Sequence, residues 1–424
     1  MPSPHSLLAV LLLASPALAQ QPRAPAGKCT SPAASFAARQ TGGTAFDVLK
    51  ENAELSTGDM LVTLPGATLE SKNGAVSVKS LADYDSKSPL PILETALSLN
   101  PAGEADLDFT LDRGRVDITN KKAAGAAVVV VRFWDQTWRV SLDTPGTRVA
   151  LELCGRWPSG TRFKIPEAKE AKPTAAPNAS LILLVLSGEA RADVGGVTLG
   201  LKAPPGPAML EWDSVSGARP QPQKLDALPP WADPAAGLSD SGKATAAAVE
   251  KFRALRALDA ANAIDTFLAS ADAVEQRIGL VTLGAYDDLD RLGQVLAAAK
   301  TLEQWDFGVT VVRHWLGRCP NQERKLFEAL TAGKGMTPAQ AKTVMQLLFG
   351  FAAEDLTQPE TFEVLVEYLQ HDTAAVRNLA AWHLHRLVPQ GKSIPFSPTG
   401  DKAAIDKTYQ AWKKLLPGGQ VPKK

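Results

Sequence analysis

Histidine, the usual general base and zinc ligand, occurs four times beyond the N-terminal segment. His383 and His385 lie two residues apart in a region with helical periodicity, so their side chains point about 200° apart around the helix and cannot bind one ion from a single face. His314 and His371 stand alone, and residues 45–212 contain no histidine, which excludes a Ser-His-Asp triad confined to them. We therefore predict no catalytic and no metal-binding residues, and a packed or surface position for each histidine.

The three cysteines, Cys29, Cys154 and Cys319, are an odd number, so at most one disulfide forms within the chain. No Cys-x-x-Cys motif is present for metal or redox chemistry, and no histidine is arranged to activate a cysteine as a nucleophile. Two alternatives stay open. Either Cys29 and Cys154 form a disulfide that closes a long loop, or all three cysteines are buried thiols.

Residues 237–243 have the glycine and lysine spacing of a phosphate-binding loop, in which backbone amides and the lysine surround phosphate groups. Ala244 stands where such a loop needs Ser or Thr to bind Mg²⁺, and the proline-rich stretch 229–234 cannot form the buried strand that should precede it. We interpret the segment as a linker that enters a helix, and we predict no cofactor.

Two tryptophans, Trp134 and Trp138, flank a short turn. Their rings are a candidate aromatic binding surface for a sugar, and packing across two strands is the alternative. A set of aspartates lies on the preceding segments: Asp106, Asp108, Asp112 and Asp117. These are candidates for the paired acids of a glycoside hydrolase, although alternation on the surface of a strand also explains them.

The composition is that of a folded, water-soluble protein, with 424 residues, 45% hydrophobic and 21% charged. This length favours two or three domains. Lys and Arg together number 45, as do Asp and Glu, so the formal net charge is zero. A protein that binds nucleic acid through its bulk charge would carry a basic excess, and we expect no nucleic-acid partner.

The N-terminal segment 1–19 has the features of a secretory signal peptide. Residues 7–13 are an unbroken apolar run, and Ala17-Leu18-Ala19 supplies small residues before Gln20, where we expect cleavage. The run is shorter than the ~20 residues that span a bilayer, so we expect no stable membrane insertion after cleavage. The predicted location is the periplasm or the extracellular space.

The rest of the chain changes character near residue 235. Residues 45–212 contain short Val-, Leu- and Thr-rich runs between turn residues, which predicts an antiparallel β sandwich, jelly roll or barrel. We expect 20–44 to be a flexible segment and the proline-rich stretch 213–241 to be a linker between two independently stable pieces. Trp231 suggests that part of this linker docks on a surface. Helical periodicity fills 242–416, and 417–424 is a short tail.

Four helical hairpins are predicted, with ends that recur roughly every 35 residues. Their ranges are Asp259–Ala285, Asp287–Gly317, Asn321–Phe351 and Pro359–Val388. This repeat is typical of an α-solenoid. Helix starts are predicted at Thr301, Thr337 and Thr357, each with Gln or Glu three residues later. A last helix from about Ala403 to Leu416 is expected to cap the stack through one apolar stripe, with Trp412 as its anchor. The stripe consists of Ile405, Tyr409, Trp412 and Leu416.

One helix resembles a known repeat family. Asp372, Val376, Arg377, Ala380, Leu384 and Leu387 follow the pattern of the second helix of a HEAT repeat. The other three hairpins match that pattern poorly, since 271–285 lacks the Val-Arg pair and Gly308 stands where Ala is usual. The resemblance implies a HEAT-like solenoid for the helical part.

Several short segments of the β-rich part carry a second resemblance: Gly58–Thr63, Ala67–Leu69, Asn73-Gly74, Leu111–Val116, Trp138–Val140, Thr144–Thr147 and Leu186–Ala190. Through these segments residues 45–212 resemble a FecR-type extracytoplasmic domain. Members of that family receive or relay extracytoplasmic signals by protein contact, so the resemblance implies a sensing or binding domain. The signalling role itself is not carried over, because it depends on a membrane segment that we do not find in this sequence.

These patterns favour a non-enzymatic exported protein that binds another protein or an envelope polymer through a β domain and a helical-repeat scaffold. One alternative is a carbohydrate-active or other extracytoplasmic hydrolase. A structural component of the envelope is the other alternative.

Cleavage after Ala19 leads to the first testable prediction. We expect the mature protein to begin at Gln20, because the apolar run ends in small residues before a polar stretch. Mass spectrometry of the N-terminal peptide of protein isolated from its native cells measures this. An intact Met1 terminus on cell-associated protein would contradict export.

Overall fold

A β-rich half precedes a helical half in the computed structural model, as predicted. The structure describes residues 23–85, 94–165, 176–233, 235–299, 301–395 and 400–419. Segment 1–19 with the cleavage site at Ala19 and Gln20, and most of the tail 417–424, lie outside the described residues.

The described part of the β half contains seventeen strands. They are β1 (Pro25–Cys29), β2 (Phe36–Arg39), β3 (Asp47–Val48), β4 (Glu54–Ser56), β5 (Met60–Thr63), β6 (Thr68–Ser71), β7 (Val76–Leu81), β8 (Thr95–Leu99), β9 (Leu107–Asn120), β10 (Ala127–Phe133), β11 (Gln136–Leu142), β12 (Arg148–Arg156), β13 (Asn178–Ser187), β14 (Glu189–Val194), β15 (Val197–Lys202), β16 (Gly206–Asp213) and β17 (Gln223–Leu225).

These strands form two ladders that share β9. The first ladder runs β4-β1-β6-β7-β9-β12-β13-β16-β17. The second runs β3-β2-β5-β8-β9-β10-β11-β14-β15. Neighbours are antiparallel except β9 and β10, which are parallel. The long strand β9 therefore holds the two ladders together.

Gly114 is the point where β9 passes from one ladder to the other. Its residues up to Arg113 pair with β8 and β10, and its residues from Gly114 onward pair with β7 and β12. Gly114 has φ of 94°, and a Cβ there would lie 2.6 Å from the carbonyl oxygen of Glu94. Only glycine fits this conformation and this approach, and the passage places Arg113 close to Glu94.

One hydrophobic core receives side chains from both ladders. Val116, Leu151 and Leu183 come from the first ladder, and Phe109 and Val131 come from the second. All five are essentially inaccessible to solvent. Burying such a side chain contributes about 1.5–3 kcal/mol, so the Val- and Leu-rich runs account for the stability of this half.

The expectation of a flexible segment over 20–44 is wrong. β1 and β2 lie within it and pair in the first and the second ladder, and Cys29 and Phe36 are each only 1% exposed. The sequence conceals β1 because Pro-Ala-Gly-Lys-Cys has little β propensity. Gly27 is required there, since a Cβ would lie 2.5 Å from the carbonyl oxygen of Glu70 on β6.

The proline-rich stretch 213–241 also packs on the β half. β17 pairs with β16, and Ala232 is buried against Ala150 and Leu184 on the first ladder. The ring of Trp231 covers the guanidinium of Arg115, with 4.7 Å between the ring centroid and Cζ. The linker is therefore attached to the sheet along part of its length, and Trp231 is one of the residues that dock it.

Ten α-helices make up the described helical half. They are α1 (Asp240–Leu258), α2 (Ala260–Leu268), α3 (Ala273–Ala285), α4 (Leu289–Ala298), α5 (Leu302–Gly317), α6 (Gln322–Glu328), α7 (Pro338–Phe349), α8 (Pro359–Glu367), α9 (Ala374–Leu387) and α10 (Lys402–Leu415).

Each predicted hairpin contains two consecutive helices in contact: α2 with α3, α4 with α5, α6 with α7, and α8 with α9. The second helices also pack in chain order, α3 on α5, α5 on α7 and α7 on α9. The capping boxes predicted at Thr301 and Thr337 are present. The third is wrong, because Gln358 is the N-cap residue of α8 and the Thr357 hydroxyl donates to the carbonyl of Glu354.

The last helix, α10, packs through the predicted apolar stripe. Trp412 is 0% exposed, and Tyr409 and Leu416 are also buried. The Trp412 ring meets His385 of α9 edge to face, with 5.2 Å between centroids. Trp412 therefore anchors α10 to the preceding helices.

The second testable prediction is that Trp412→Ala destabilises the mature protein by about 3–5 kcal/mol, since it removes a fully buried indole. Urea unfolding followed by circular dichroism measures the change. Val364→Ala is the control, because Val364 is 46% exposed on α8 and its loss should cost under about 0.5 kcal/mol. Equal unfolding midpoints for the two variants would contradict the anchoring role.

Candidate functional site

The structure keeps Cys29 and Cys154 apart. They lie on β1 and β12, which are four strand steps apart in the first ladder, or roughly 19 Å at about 4.8 Å per step. A disulfide needs Cα atoms within about 7 Å. Cys29, Cys154 and Cys319 are free thiols, of which Cys29 and Cys154 are buried and Cys319 is half-buried, so the second alternative holds except that Cys319 is partly exposed. Burial raises the pKa of Cys154 to about 12, which makes this thiol a poor nucleophile.

Trp134 and Trp138 do not form one exposed aromatic surface. Trp138 is 1% exposed and lies edge to face with Phe133, at 5.1 Å between centroids, inside the β core. Trp134 sits in the turn with φ of 48° and is partly buried against the same core. The structure therefore has the alternative arrangement, in which both rings pack against the β core.

The histidines and the four aspartates are held by separate partners. His383 is buried beside the carbonyl of Leu347, at 2.8 Å, and burial lowers its pKa to about 4. His385 contacts Trp412 instead, so the two rings face different neighbours, as the helical spacing predicts. The aspartates are paired one by one with cations: Asp106 with Lys122, Asp108 with Arg132, Asp112 with Arg113 and Asp117 with Arg148.

A buried group of charges lies where the two halves meet. Glu94, directly before β8, is 6% exposed. Its Oε1 lies 3.5 Å from Arg113 Nε on β9, 3.4 Å from His314 Nδ1 on α5 and 3.5 Å from Arg318 Nη2 just after α5. We call these four residues the Glu94 cluster. Two of its members come from each half of the chain.

Asp287 extends this cluster toward the surface. Its carboxylate accepts hydrogen bonds from Arg39 Nη1 of β2 at 2.7 Å, from Arg318 Nη1 at 3.2 Å and from Trp315 Nε1 at 2.9 Å. Arg113 Nη2 donates to the carbonyl of Ala285 at the end of α3, at 3.1 Å. Arg39 and Arg113 of the β half therefore donate to acceptors at the end of α3 and in the turn before α4.

Glu94 and Arg318 keep their charges at neutral pH. Burial by itself would raise the pKa of Glu94, but His314, Arg113 and Arg318 outweigh this effect and lower it to about 2. Burial and the neighbouring Arg113 lower the pKa of Arg318 to about 10. Because a buried charge without its partner is costly, the halves satisfy these groups only when they are docked.

Apolar and backbone contacts complete the junction. Trp157, just after β12, stacks on Phe349 at the end of α7, with 4.9 Å between ring centroids, and its Nε1 donates to the carbonyl of Leu316 at 3.0 Å. Gly317 lies directly against β12, since a Cβ there would be 2.8 Å from Arg156 Cα. The sequence predicts two independently stable pieces, whereas at this junction each half buries side chains and backbone groups against the other.

A cleft of about 380 Å³ opens in the helical half between α2, α3, α4 and α5. Its lining is mostly aliphatic or of small residues: Leu268, Ala269, Leu280, Val295, Leu296, Ala298 and Ala299. Three amides and one ion pair complete it: Gln276, Gln294, Gln304, Asp265 and Arg291. A mainly apolar cleft of this size with a few polar groups is typical of a binding site.

The amides in the cleft are oriented by one another. Gln304 Nε2 donates to Gln276 Oε1 at 3.3 Å, and Gln276 Nε2 donates to the carbonyl of Ser270 at 2.5 Å. Gln304 also accepts from the Thr301 amide through its capping box. The start of α5 and the loop before α3 therefore fix two of the three amides on the wall of the cleft.

Neither the Glu94 cluster nor the cleft can be recognised in the sequence. The members of the cluster are up to 224 residues apart, from Glu94 to Arg318, and nothing local distinguishes them. The run Ala297-Ala298-Ala299 at the end of α4 is a faint signal for the cleft, because small residues leave room beside a helix. Only Leu292 and Leu296 of α4 are buried, so this helix is loosely packed.

Within the described residues, no group of three or more His, Cys, Asp or Glu side chains is arranged to hold a metal ion. None of the described helices is long and apolar enough to span a membrane. Comparisons with protein-family models, with curated proteins and with solved structures found no match.

The third testable prediction concerns pH. Glu94 has a pKa of about 2 in the folded chain against an ordinary value of 4.5, so its carboxylate stabilises the fold fully above about pH 4.5, and this stabilisation is lost as the pH falls to 2. The difference corresponds to about 3 kcal/mol. We expect Glu94→Gln to lower the free energy of unfolding at pH 7 by about that amount, and to flatten its dependence on pH between 5 and 2.

Urea unfolding at several pH values measures both effects. Glu54→Gln is the matched control, because Glu54 is an exposed acid on β4 of the same half. Parallel pH curves for wild type and Glu94→Gln would show that the cluster does not stabilise the junction.

Proposed function

We propose that the protein is an exported, non-catalytic binding protein. In this proposal a β sandwich like that of FecR-type domains and a HEAT-like α-solenoid form one rigid body, and the helical half presents the binding surface. The shared core of the two ladders supports the sandwich. The packing of α3, α5, α7 and α9 in chain order supports the solenoid.

The single observation that carries the proposal is the cleft between α2 and α4. It is concave, mainly apolar and lined by oriented amides, whereas the charged groups at the junction are paired with one another. A ligand can bind in such a cleft without any catalytic group. The Glu94 cluster supplies the rigidity, since it fixes the helices against the β half and none of its members lines the cleft.

Two features support an external protein as the partner. The segment 1–19 has the pattern of a secretory signal, which would place the mature chain outside the cytoplasm. The resemblance to FecR-type domains points to recognition of another protein. The individual pairing of Asp106, Asp108, Asp112 and Asp117 with cations gives less support to a glycoside hydrolase.

The fourth testable prediction is that the mature protein, tagged at its C-terminus, is recovered from the native envelope or culture medium with a partner in a constant ratio. Chemical cross-linking in intact cells followed by mass spectrometry identifies the partner and the cross-linked lysines. We expect cross-links from the helical half. Recovery of the protein alone from each fraction, at concentrations where it is readily detected, would contradict a binding function and favour a purely structural role.

A further inference from the structure

We propose that the cleft binds an extended, uncharged segment of a partner protein and receives one aliphatic side chain of that segment between α2 and α4. This inference rests on the proposed binding function and adds the chemistry of the ligand. Three properties of the lining lead to it: an aliphatic floor, amides on the wall, and charges that cancel.

The floor consists of aliphatic side chains in contact with the helical core. Leu280 and Leu296 are 2% and 9% exposed, and Leu268 and Val295 are partly buried against the same core. Ala269 and Ala298 are exposed on the two sides of the opening. Their small side chains leave the floor accessible to an entering side chain and allow a backbone to approach closely. An aliphatic side chain placed there would be removed from water at little steric cost.

The amides on the wall match the polar groups of a peptide. A primary amide offers both N–H donors and a carbonyl acceptor, as the peptide group does. Gln276 and Gln304 are held in place by their hydrogen bond and by the carbonyl of Ser270, so little freedom is lost when a ligand binds. Gln294 lies on the exposed side of α4 and adds a third amide. An extended segment presents unpaired N–H and C=O groups to such a wall.

The charges in the lining disfavour a charged ligand. Asp265 and Arg291 are the acid and the base of the lining, and they are paired with each other. A charged side chain in the cleft would compete with this pair or be left without a partner in an apolar site. The lining therefore selects uncharged residues, and its volume of about 380 Å³ accommodates a short segment and not a folded domain.

Selection from a random peptide library displayed on phage tests the inference, with the immobilised mature chain as bait. Ala298→Arg fills the opening and is the blocked variant. Ala297→Arg is the matched control, because Ala297 is its exposed neighbour on α4 but does not line the cleft. Ala269→Arg blocks the opposite wall and replaces Ala298→Arg if that variant fails to fold.

We expect the enriched peptides to share an aliphatic residue flanked by uncharged residues. A synthetic peptide from the selection should bind wild type and Ala297→Arg equally and bind the blocked variant at least about tenfold more weakly, as measured by calorimetry. Gln294→Ala should weaken binding by a smaller factor, between about twofold and tenfold.

Enrichment of charged peptides, or the same peptides selected by wild type and by the blocked variants, would overturn the inference. So would the absence of any enrichment. A native partner that is captured equally by wild type, Ala297→Arg and Ala298→Arg would leave the binding function standing and show that this cleft is not its site.

Discussion

The burial of one carboxylate imposes the strongest constraint on this molecule. Glu94 is buried, and the groups that hold it charged are Arg113 on β9, His314 on α5 and Arg318 directly after α5. Neither half of the chain alone surrounds it with positive charge. The β half must therefore dock on α3, α4 and α5 in one orientation, because a shift would leave a buried charge unpaired. Such a group adds less to stability than apolar packing does, but it specifies how the halves meet.

The path of β9 makes this arrangement possible. The strand changes ladders at Gly114, where a side chain would collide with the backbone at Glu94 and Thr95. Arg113 then faces the helices on one side of the change, and Arg115 lies under Trp231 on the other. One glycine thus links the topology of the β half to the charges at the junction, and through them to the fixed position of the helices that line the cleft.

Features that depend on neighbours in sequence could be predicted. The helix pairs follow from apolar periodicity, the starts at Thr301 and Thr337 from local capping, and the burial of Trp412 from its stripe. Features that depend on distant partners could not. β1 contains no apolar alternation and exists because β4 and β6 supply its hydrogen bonds. The Glu94 cluster and the cleft arise only when separate elements meet, and no single segment encodes either.

The contact between Gly317 and the backbone of β12 restricts how the sequence can evolve. Two main chains touch there without an intervening side chain, so even one methyl group would push the halves apart and disturb every other contact of the junction. Exposed helix positions can drift freely, whereas Gly155 and Gly317 can change only together with the spacing of both halves. Among related chains, those that retain both glycines should keep the same spacing between the two halves.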